Sequence, residues 1–329
     1  MIQVSIGLPF FNNQKTLADA IRSVFAQTVC DWELILVDDG STDGSVALAQ
    51  GIDDPRVRLV RDGMNRGLAS RLNQIAGLAR GQYLARLDGD DMMHPDRLQR
   101  QIAVLECNPD ADMVGTAMYS MDRRERPRGI QGLTRPDTRA VAVLTRALLI
   151  HATITGRTEW FRRHPYDAFY RRAEDRELFV RTFRNLSFVH LAEVLYFCRE
   201  ELSVRLDKYL ASCREVRSLT RKYAPELVGR PRMLACCLAS WVKGEIYRLC
   251  IHLHAGQYLV RRRNTPLTGE QARVAAEIIE RIRTTAVPGL PSISSMSPPS
   301  DAAREWIFSS RSDLPIDHLA GREERRPVS

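Results

Sequence analysis

Apolar and polar residues alternate in blocks along the first hundred positions, and the blocks predict strands and helices in turn. Short apolar segments predict strands at residues 2–8, 32–37, 57–60 and 83–87. Between the first two strands, helical spacing is shown by Leu17, Ala20, Ile21, Val24 and Phe25. Further helices are predicted from Ser45 and over residues 68–79. Strands joined by crossover helices form a parallel sheet covered on both faces, so the predicted fold class is α/β.

The pattern becomes helical beyond about residue 200. An apolar stripe with intervals of four, four, three and four is formed by Leu238, Val242, Ile246, Leu249 and Leu253. It predicts a helix packed on the preceding domain, and the alternative is a helix lying on a membrane surface, because arginines follow at residues 261–263. We therefore expect an α/β domain over residues 1–200 and a helical region over 201–283. A proline- and serine-rich flexible tail is expected over 284–329.

The length of the chain, its apolar runs and its cysteines limit the classes of protein to which it can belong. The chain has 329 residues, enough for one large domain with an appendage. Its longest apolar run is broken by Lys243, Glu245 and Arg248, so we expect no transmembrane helix. The seven cysteines form no CxxC pair, and no basic residue precedes the first apolar segment, which favours the cytoplasm.

The net charge is unevenly distributed, at −5 over residues 1–118 and +13 over residues 119–329. This asymmetry predicts a cation site early in the chain and an anionic partner or surface later. No zinc-finger or RNA-recognition signature accompanies the basic part, and we expect no nucleic-acid partner.

Carboxylates follow two of the predicted strands at the point where each strand ends. Asp38 and Asp39 come after the second strand, and Asp88, Asp90 and Asp91 come after the strand at 83–87. The carboxyl ends of parallel strands lie along one edge of a sheet, so both acidic clusters are expected in one crevice. Oxygen ligands of this kind select Mg²⁺ or Mn²⁺.

Two other interpretations of the acidic segment can be compared with the sequence. A calcium loop that begins at Asp88 would need Asp or Asn at its fifth position, Gly at its sixth and Glu at its twelfth. The sequence has Met92, Met93 and Gln99 there, so it does not fit a calcium loop. A solvated acidic turn before a helix that begins near Pro95 is compatible with the pattern, so the acidic residues alone leave this alternative open. A dinucleotide site is not supported, since PFFNNQ stands where GxGxxG would follow the first strand.

Several segments together resemble the family 2 glycosyltransferases, which have the GT-A nucleotide-sugar-binding fold. They are SIGLPFFNN, AIRSVFAQT, WELILVDDGSTDGS, NRGLASRLNQIAGLARGQYLARLDGDD, HPDRLQRQ and AEDRELFVRTF. Their order and spacing over roughly residues 2–200 are more specific than any single segment. The resemblance implies a Rossmann-like, mostly parallel sheet flanked by helices, with a helical C-terminal extension.

The resemblance also implies roles for residues around the nucleotide. Pro9 and Phe10 would line the pocket for the base, and Asp39 would hydrogen-bond the base. Asp88 would lie near the ribose or phosphate. Arg71 would lie near the nucleotide, although a surface arginine on a helix is an equal alternative for it.

The remaining implied roles concern the transfer itself. Asp90, in the Asp-x-Asp motif, would bind Mn²⁺ or Mg²⁺, which stabilises the charge on a leaving diphosphate. Asp175 would be the general base that takes the proton from the acceptor hydroxyl, giving inversion at the anomeric carbon. Without the resemblance, Asp175 would be interpreted as a carboxylate that favours the dipole of its helix.

The implied activity is metal-dependent, inverting transfer from an NDP-sugar, with a UDP-sugar as the first expectation. The acceptor would be a glycan or a lipid-linked glycan in surface polysaccharide synthesis, reached by peripheral contact at the inner face of the membrane. The QxxRW motif of processive synthases is absent from the sequence, so one sugar per encounter is expected. The alternatives are a non-catalytic nucleotide-sugar-binding protein and a sugar nucleotidyltransferase.

Overall fold

The computed structural model describes residues 2–122, 124–200, 206–253 and 264–291. Within them, a ten-stranded mixed sheet is flanked by helices. The strands are β1 (Val4–Phe10), β2 (Trp32–Asp38), β3 (Val57–Val60), β4 (Tyr83–Arg86), β5 (Met92–Met93), β6 (Met113–Met121), β7 (Pro127–Gln131), β8 (Thr155–Arg157), β9 (Phe188–Arg199) and β10 (Thr265–Pro266). The helices are α1 (Leu17–Phe25), α2 (Ser45–Gln50), α3 (Leu68–Leu78), α4 (Arg97–Cys107), α5 (Ala140–Thr145), α6 (Thr158–Arg163), α7 (Glu174–Thr182), α8 (Leu206–Val228), α9 (Arg230–His252) and α10 (Gly269–Arg283).

The centre of the sheet is parallel, in the order β4-β1-β2-β3. Phe10 lies opposite Asp38, and Gly7 lies opposite Arg86. This register brings the carboxyl ends of β1, β2 and β4 to the same edge, which confirms the predicted α/β fold. Strand β1 runs two residues further than predicted, because Pro9 lies beyond the last pair with β4 and its missing N–H breaks no bond on that side.

The other half of the sheet is mostly antiparallel. Strand β8 pairs antiparallel with both β4 and β6, while β7 and β10 continue the sheet outward from β6. The long strand β9 pairs parallel with β6 and antiparallel with the short β5. Through these pairings β9 returns the chain to the segment that follows β4.

Both faces of the central parallel strands β1 and β2 are buried, as a sheet covered by helices requires, whereas the edge strand β3 is partly exposed. In β2, Leu34 and Leu36 belong to the apolar cluster on the side of α1 and α4, and Ile35 and Val37 belong to the cluster on the side of α3. Helix α3 packs so closely that a Cβ at Gly7 would overlap the Ile75 side chain. The strands on which the candidate site rests are therefore firmly held.

The C-terminal helices form two groups. Helices α8 and α9 pack against each other, and α10 packs on β7 and α1. Thr268 and Gln271 form a capping box at the start of α10. The compact unit extends to Leu290, whereas residues 292–329 of the expected tail and the arginines at 261–263 lie outside the described residues.

Helix α9 contains the predicted apolar stripe, but the stripe is not packed on the rest of the protein. The exposed side chains include all five stripe residues, Leu238, Val242, Ile246, Leu249 and Leu253. Helix α9 does pack on α8 and on α5 of the preceding domain, but it contacts α8 through the opposite face, so the apolar stripe is not the surface that makes this contact. None of the helices in the described residues combines the length and the hydrophobicity that spanning a bilayer requires.

Candidate active site

The acidic loop, residues 88–91, connects β4 to β5 at the carboxyl edge of the sheet. Arg86 donates to the Asp88 carboxylate from Nε at 3.1 Å and from Nη2 at 2.8 and 3.0 Å. The buried Asp91 carboxylate accepts the backbone N–H of Arg199 at 2.8 Å, and the Arg199 side chain donates to the Asp90 carbonyl at 2.5 Å. These bonds fix the loop from two strands and leave the Asp90 side chain exposed.

The acidic loop favours a cation. Although Asp90 is exposed, nearby protein atoms partly desolvate its carboxylate, and this effect together with the charge of Asp88 raises the pKa of Asp90. Burial and the charges of Asp90 and Asp88 raise the pKa of Asp91 well above its usual range. A bound cation would offset this repulsion, and hard carboxylate oxygens suit Mg²⁺ or Mn²⁺. Among the described residues, no group of three or more His, Cys, Asp or Glu side chains could enclose an ion by itself.

The end of β1 packs directly against the acidic loop. A Cβ at Gly89 would lie 3.0 Å from Cβ of Phe10 and 2.9 Å from Oδ1 of Asn13, so this close approach requires glycine. The Thr16 hydroxyl also donates to the Gly89 carbonyl at 3.0 Å. Pro9 and Phe10, the two residues proposed for the base pocket, are both buried at the carboxyl edge of the sheet.

Asp39 lies at the same edge and has several donors around it. Its own N–H donates to the Phe10 carbonyl at 2.9 Å. Its carboxylate accepts the backbone N–H groups of Arg66 at 2.7 Å and Gly67 at 3.1 Å. The Nε of Arg71 completes the set at 2.9 Å.

Arg71 is fully buried, so the alternative of a surface arginine is wrong. Its terminal nitrogens donate to Asp62 at 2.7 and 3.1 Å, to Gln74 at 2.9 Å and to the Met64 carbonyl. Because Nε and both terminal nitrogens bond within the protein, the geometry supports a role for Arg71 in positioning Asp39. The family resemblance implied that Arg71 lies near the nucleotide but did not show that it binds Asp39.

The start of helix α7 faces the same region. Burial, and then the charges of Asp175 and Asp88, raise the pKa of Glu174 to about 7, against the opposing effect of Arg86. Burial also raises the pKa of Tyr166, with Glu174, Asp175 and Asp88 adding to it. Arg86 and Tyr166 line one cavity, and the His151 ring centroid lies 5.3 Å from that of Tyr166 and 6.4 Å from that of Phe179 in α7. Helix α7 therefore lies beside the strand that leads into the acidic loop, although more than 80 residues separate the two in the sequence.

Asp175 and Glu174 differ in their access to solvent. The Asp175 side chain is half-buried and accepts the Arg176 N–H at 2.7 Å, whereas Glu174 is buried. Of the two carboxylates, Asp175 is the one that an acceptor could approach.

The structure adds residues that the sequence interpretation missed. Arg86 holds Asp88, and although burial opposes its charge, Asp88 and nearby acidic groups raise the pKa of its guanidinium. The sequence signal that could have identified Arg86 is its position two residues before Asp88, since side chains two residues apart on a strand point to the same face.

His151 is buried, and its Nε2 lies 2.7 Å from the Tyr166 hydroxyl, which agrees with a structural role.

Residues 5–179 match the family described as Glycosyl transferase family 2. The chain belongs to this family. It is therefore a glycosyltransferase, which replaces the two alternative interpretations, and the acids at the carboxyl edge are its candidate active site.

Individual relatives agree with this assignment. EpsE of Bacillus subtilis (strain 168), a glycosyltransferase by name, is 34% identical over 208 residues, which are 60% of this chain and 73% of EpsE. WfgD of Escherichia coli, named as a UDP-Glc:α-D-GlcNAc-diphosphoundecaprenol β-1,3-glucosyltransferase, is 33% identical over 34% of this chain and 44% of its own length.

Solved structures share the fold at low identity. Staphylococcus aureus TarS 1–349 in complex with UDP-GlcNAc has a TM-score of 0.56 at 16% identity, over 72% of both chains. The mannosyltransferase PcManGT from Pyrobaculum calidifontis, in complex with GDP-Man and Mn²⁺, has a TM-score of 0.52 at 15% identity, over 94% of this chain and 79% of its own. Both confirm the GT-A fold.

Proposed function

We propose that this glycosyltransferase moves one sugar from an NDP-sugar, with UDP-sugars as the first candidates, to a glycan or lipid-linked glycan in surface polysaccharide synthesis. The observation that supports the proposal is geometric: Arg86, which binds Asp88, lines one cavity with Tyr166, and the His151 ring packs against both Tyr166 and Phe179 of α7. In the proposal, the groups for the leaving diphosphate and for the acceptor therefore lie in one region.

The donor would occupy the edge formed by β1, β2 and the acidic loop. In the proposal, Pro9 and Phe10 border the base, Asp39 accepts a hydrogen bond from it, and Asp88 lies near the ribose or phosphate. The TarS structure that binds UDP-GlcNAc and the PcManGT structure that binds GDP-Man support an NDP-sugar, since both have this fold.

Asp90 would hold Mn²⁺ or Mg²⁺ together with the diphosphate oxygens of the donor. The exposed carboxylate with a raised pKa fits a hard cation, and PcManGT was solved with Mn²⁺. When bound, the ion supplies charge stabilisation to the departing diphosphate.

Asp175 would act on the acceptor. The acceptor oxygen forms a bond to the anomeric carbon as its proton passes to Asp175, and the bond from that carbon to the diphosphate oxygen breaks with its electron pair on the nucleotide. One displacement of this kind inverts the anomeric centre. A lipid-linked acceptor is supported by the name of WfgD, whose acceptor is diphosphoundecaprenol-linked.

The test combines nucleotide binding with transfer. Calorimetry with UDP and GDP, with and without Mn²⁺, identifies the base, and released nucleoside diphosphate reports transfer from a panel of NDP-sugars. Asp175→Asn should bind nucleotide like the wild type and lose transfer by about 10²-fold or more. Asp90→Asn should weaken both metal-dependent binding and transfer.

Asp31→Asn provides the matched control, because Asp31 is an exposed carboxylate at the opposite, amino end of β2. It should change neither quantity. Full transfer by Asp175→Asn would remove that residue from the mechanism, and release of pyrophosphate from a sugar phosphate and an NTP would contradict the proposed reaction.

A further inference from the structure

Helix α9 presents an apolar face to solvent, and Glu245 is the one carboxylate within it. Seven large apolar side chains of this helix and the residue that follows it are between 41% and 64% exposed: Leu234, Leu238, Trp241, Val242, Ile246, Leu249 and Leu253. Their spacing of three and four residues places them on one side of the helix. An exposed stripe of this size marks an interaction surface.

The opposite side of α9 holds the helix on the protein. The rings of Tyr209 and Tyr247 stack with centroids 3.7 Å apart, and Gly244 lies against Leu210 of α8. Cys236 is also buried on this side. The exposed stripe, hereafter the α9 face, is thus the outer face of a helix that is already docked.

Cations border the α9 face on both sides. Arg230 and Arg248 are 18 residues apart, which is five turns, so they lie along one border. Arg232 and Lys243 are 11 residues apart, about three turns, and lie along the other. All four side chains are exposed. The acidic residue of the helix, Glu245, pairs with Arg248 at 2.9 Å.

We propose that the α9 face docks on the surface of a bilayer that contains anionic phospholipids. The apolar side chains would enter the boundary between headgroups and acyl chains, with Trp241 among them, and the bordering cations would contact lipid phosphates. A second copy of this chain fits less well. A two-fold interface would bring the same cations of both copies together, and the helix has no unpaired carboxylate to neutralise them.

The α9 face belongs to the same helical layer that supports the proposed base. The Arg172 N–H, just before α7, donates to Glu215 of α8 at 2.7 Å, and Arg176 of α7 donates to the Thr145 carbonyl of α5 at 2.9 Å. Helix α5 packs on both α8 and α9. Docking would bring the acceptor side of the site toward lipid. This advantage for transfer depends on the proposed lipid-linked acceptor, whereas the docking itself is inferred only from the residues of α9.

The test is flotation of the full-length protein with vesicles of phosphatidylcholine alone and of a roughly 7:3 mixture of phosphatidylcholine and phosphatidylglycerol. Wild type should float with the anionic vesicles, and binding should weaken as salt is raised. Leu238→Gln with Leu249→Gln should lower the bound fraction at least about tenfold. The control, Leu133→Gln with Val274→Gln, removes two exposed apolar side chains elsewhere and should bind like wild type.

Three outcomes would overturn the proposal. The first is that wild type does not float with the vesicles, and the second is that both double variants lose vesicle binding equally. The third is that light scattering shows wild type forming a concentration-dependent dimer that binds no vesicles, while the α9 double variant is a monomer. Thermal melting followed by circular dichroism shows whether each variant is folded like wild type. Because flotation needs no transfer, failure of docking and failure of the proposed function are distinguishable.

Discussion

At the scale of residues, the carboxylates of the candidate site fall into two kinds. Asp39 and Asp88 are held by arginine side chains, Arg71 and Arg86. The side chains of Asp90 and Asp175 reach solvent. The held pair can define the shape of the edge, while the two accessible carboxylates can contact a cation and an acceptor.

Glu174 should make stability depend on pH. Its pKa is 4.5 in an ordinary environment and about 7 in the folded chain, mainly because burial disfavours the charged form. The folded state therefore holds this proton more tightly than the unfolded state. The stabilising contribution is fully present below about pH 4.5 and is lost as the pH rises through about 7, at a cost on the order of 3 kcal/mol.

Glu174→Gln removes this titration. Relative to wild type, its free energy of unfolding should rise by about 2 kcal/mol between pH 5 and pH 8, measured by urea unfolding at both values. Glu159→Gln is the control, because Glu159 is an exposed glutamate near the start of α6. A Glu174→Gln curve parallel to that of wild type would show that Glu174 does not carry the raised pKa.

At the scale of elements, helix α3 joins the loops that follow β2 and β3. Arg71 projects from α3 to Asp39 after β2 and to Asp62 after β3. The guanidinium is buried, so its removal would leave Asp39 without its charged partner at the candidate site.

Arg71→Met should therefore lower the free energy of unfolding by about 3 kcal/mol, seen in the urea midpoint, and weaken nucleotide binding through Asp39. Arg66→Met is the matched control, since Arg66 also pairs with Asp62, at 2.7 Å, but is half exposed. Its effect should stay within about 1 kcal/mol. Equal effects of the two substitutions would mean that the buried pairing does not position this edge.

At the scale of the whole molecule, the compact unit ends later than the helices. Beyond α10, Val287 is buried in the cluster with β1 and α1, and the Asp53 N–H donates to the Pro288 carbonyl at 3.1 Å. The segment 284–290 therefore packs with the unit that ends at Leu290. The composition alone had grouped it with the tail.

Two truncations test this boundary. A chain cut after Leu290 should keep its thermal midpoint within about 2 °C of the full chain and should bind nucleotide. A chain cut after Arg283 loses the buried Val287 and should melt at least about 4 °C lower. Equal melting of both truncated chains would show that residues 284–290 add nothing to the stability of the unit.

The sequence by itself determined the alternation of strands and helices and the edge at which the acids gather. Both follow from local rules, because periodicity selects the element and parallel strands share their carboxyl end. Ser45 begins α2 and Leu68 begins α3 as predicted. The order of several short motifs also indicated the family that the match over residues 5–179 confirms.

The tertiary structure alone decided which distant groups meet. No local pattern shows that Arg71 spans Asp39 and Asp62, or that Tyr166 comes to line one cavity with Arg86, because these contacts arise from how α3 and the segment before α7 pack on the sheet. The same holds for α9. The helical spacing of its apolar residues was visible in the sequence, but such spacing predicts only that the helix has an apolar face. It does not show whether other parts of the protein cover that face, and the packing of α9 on α8 leaves it exposed.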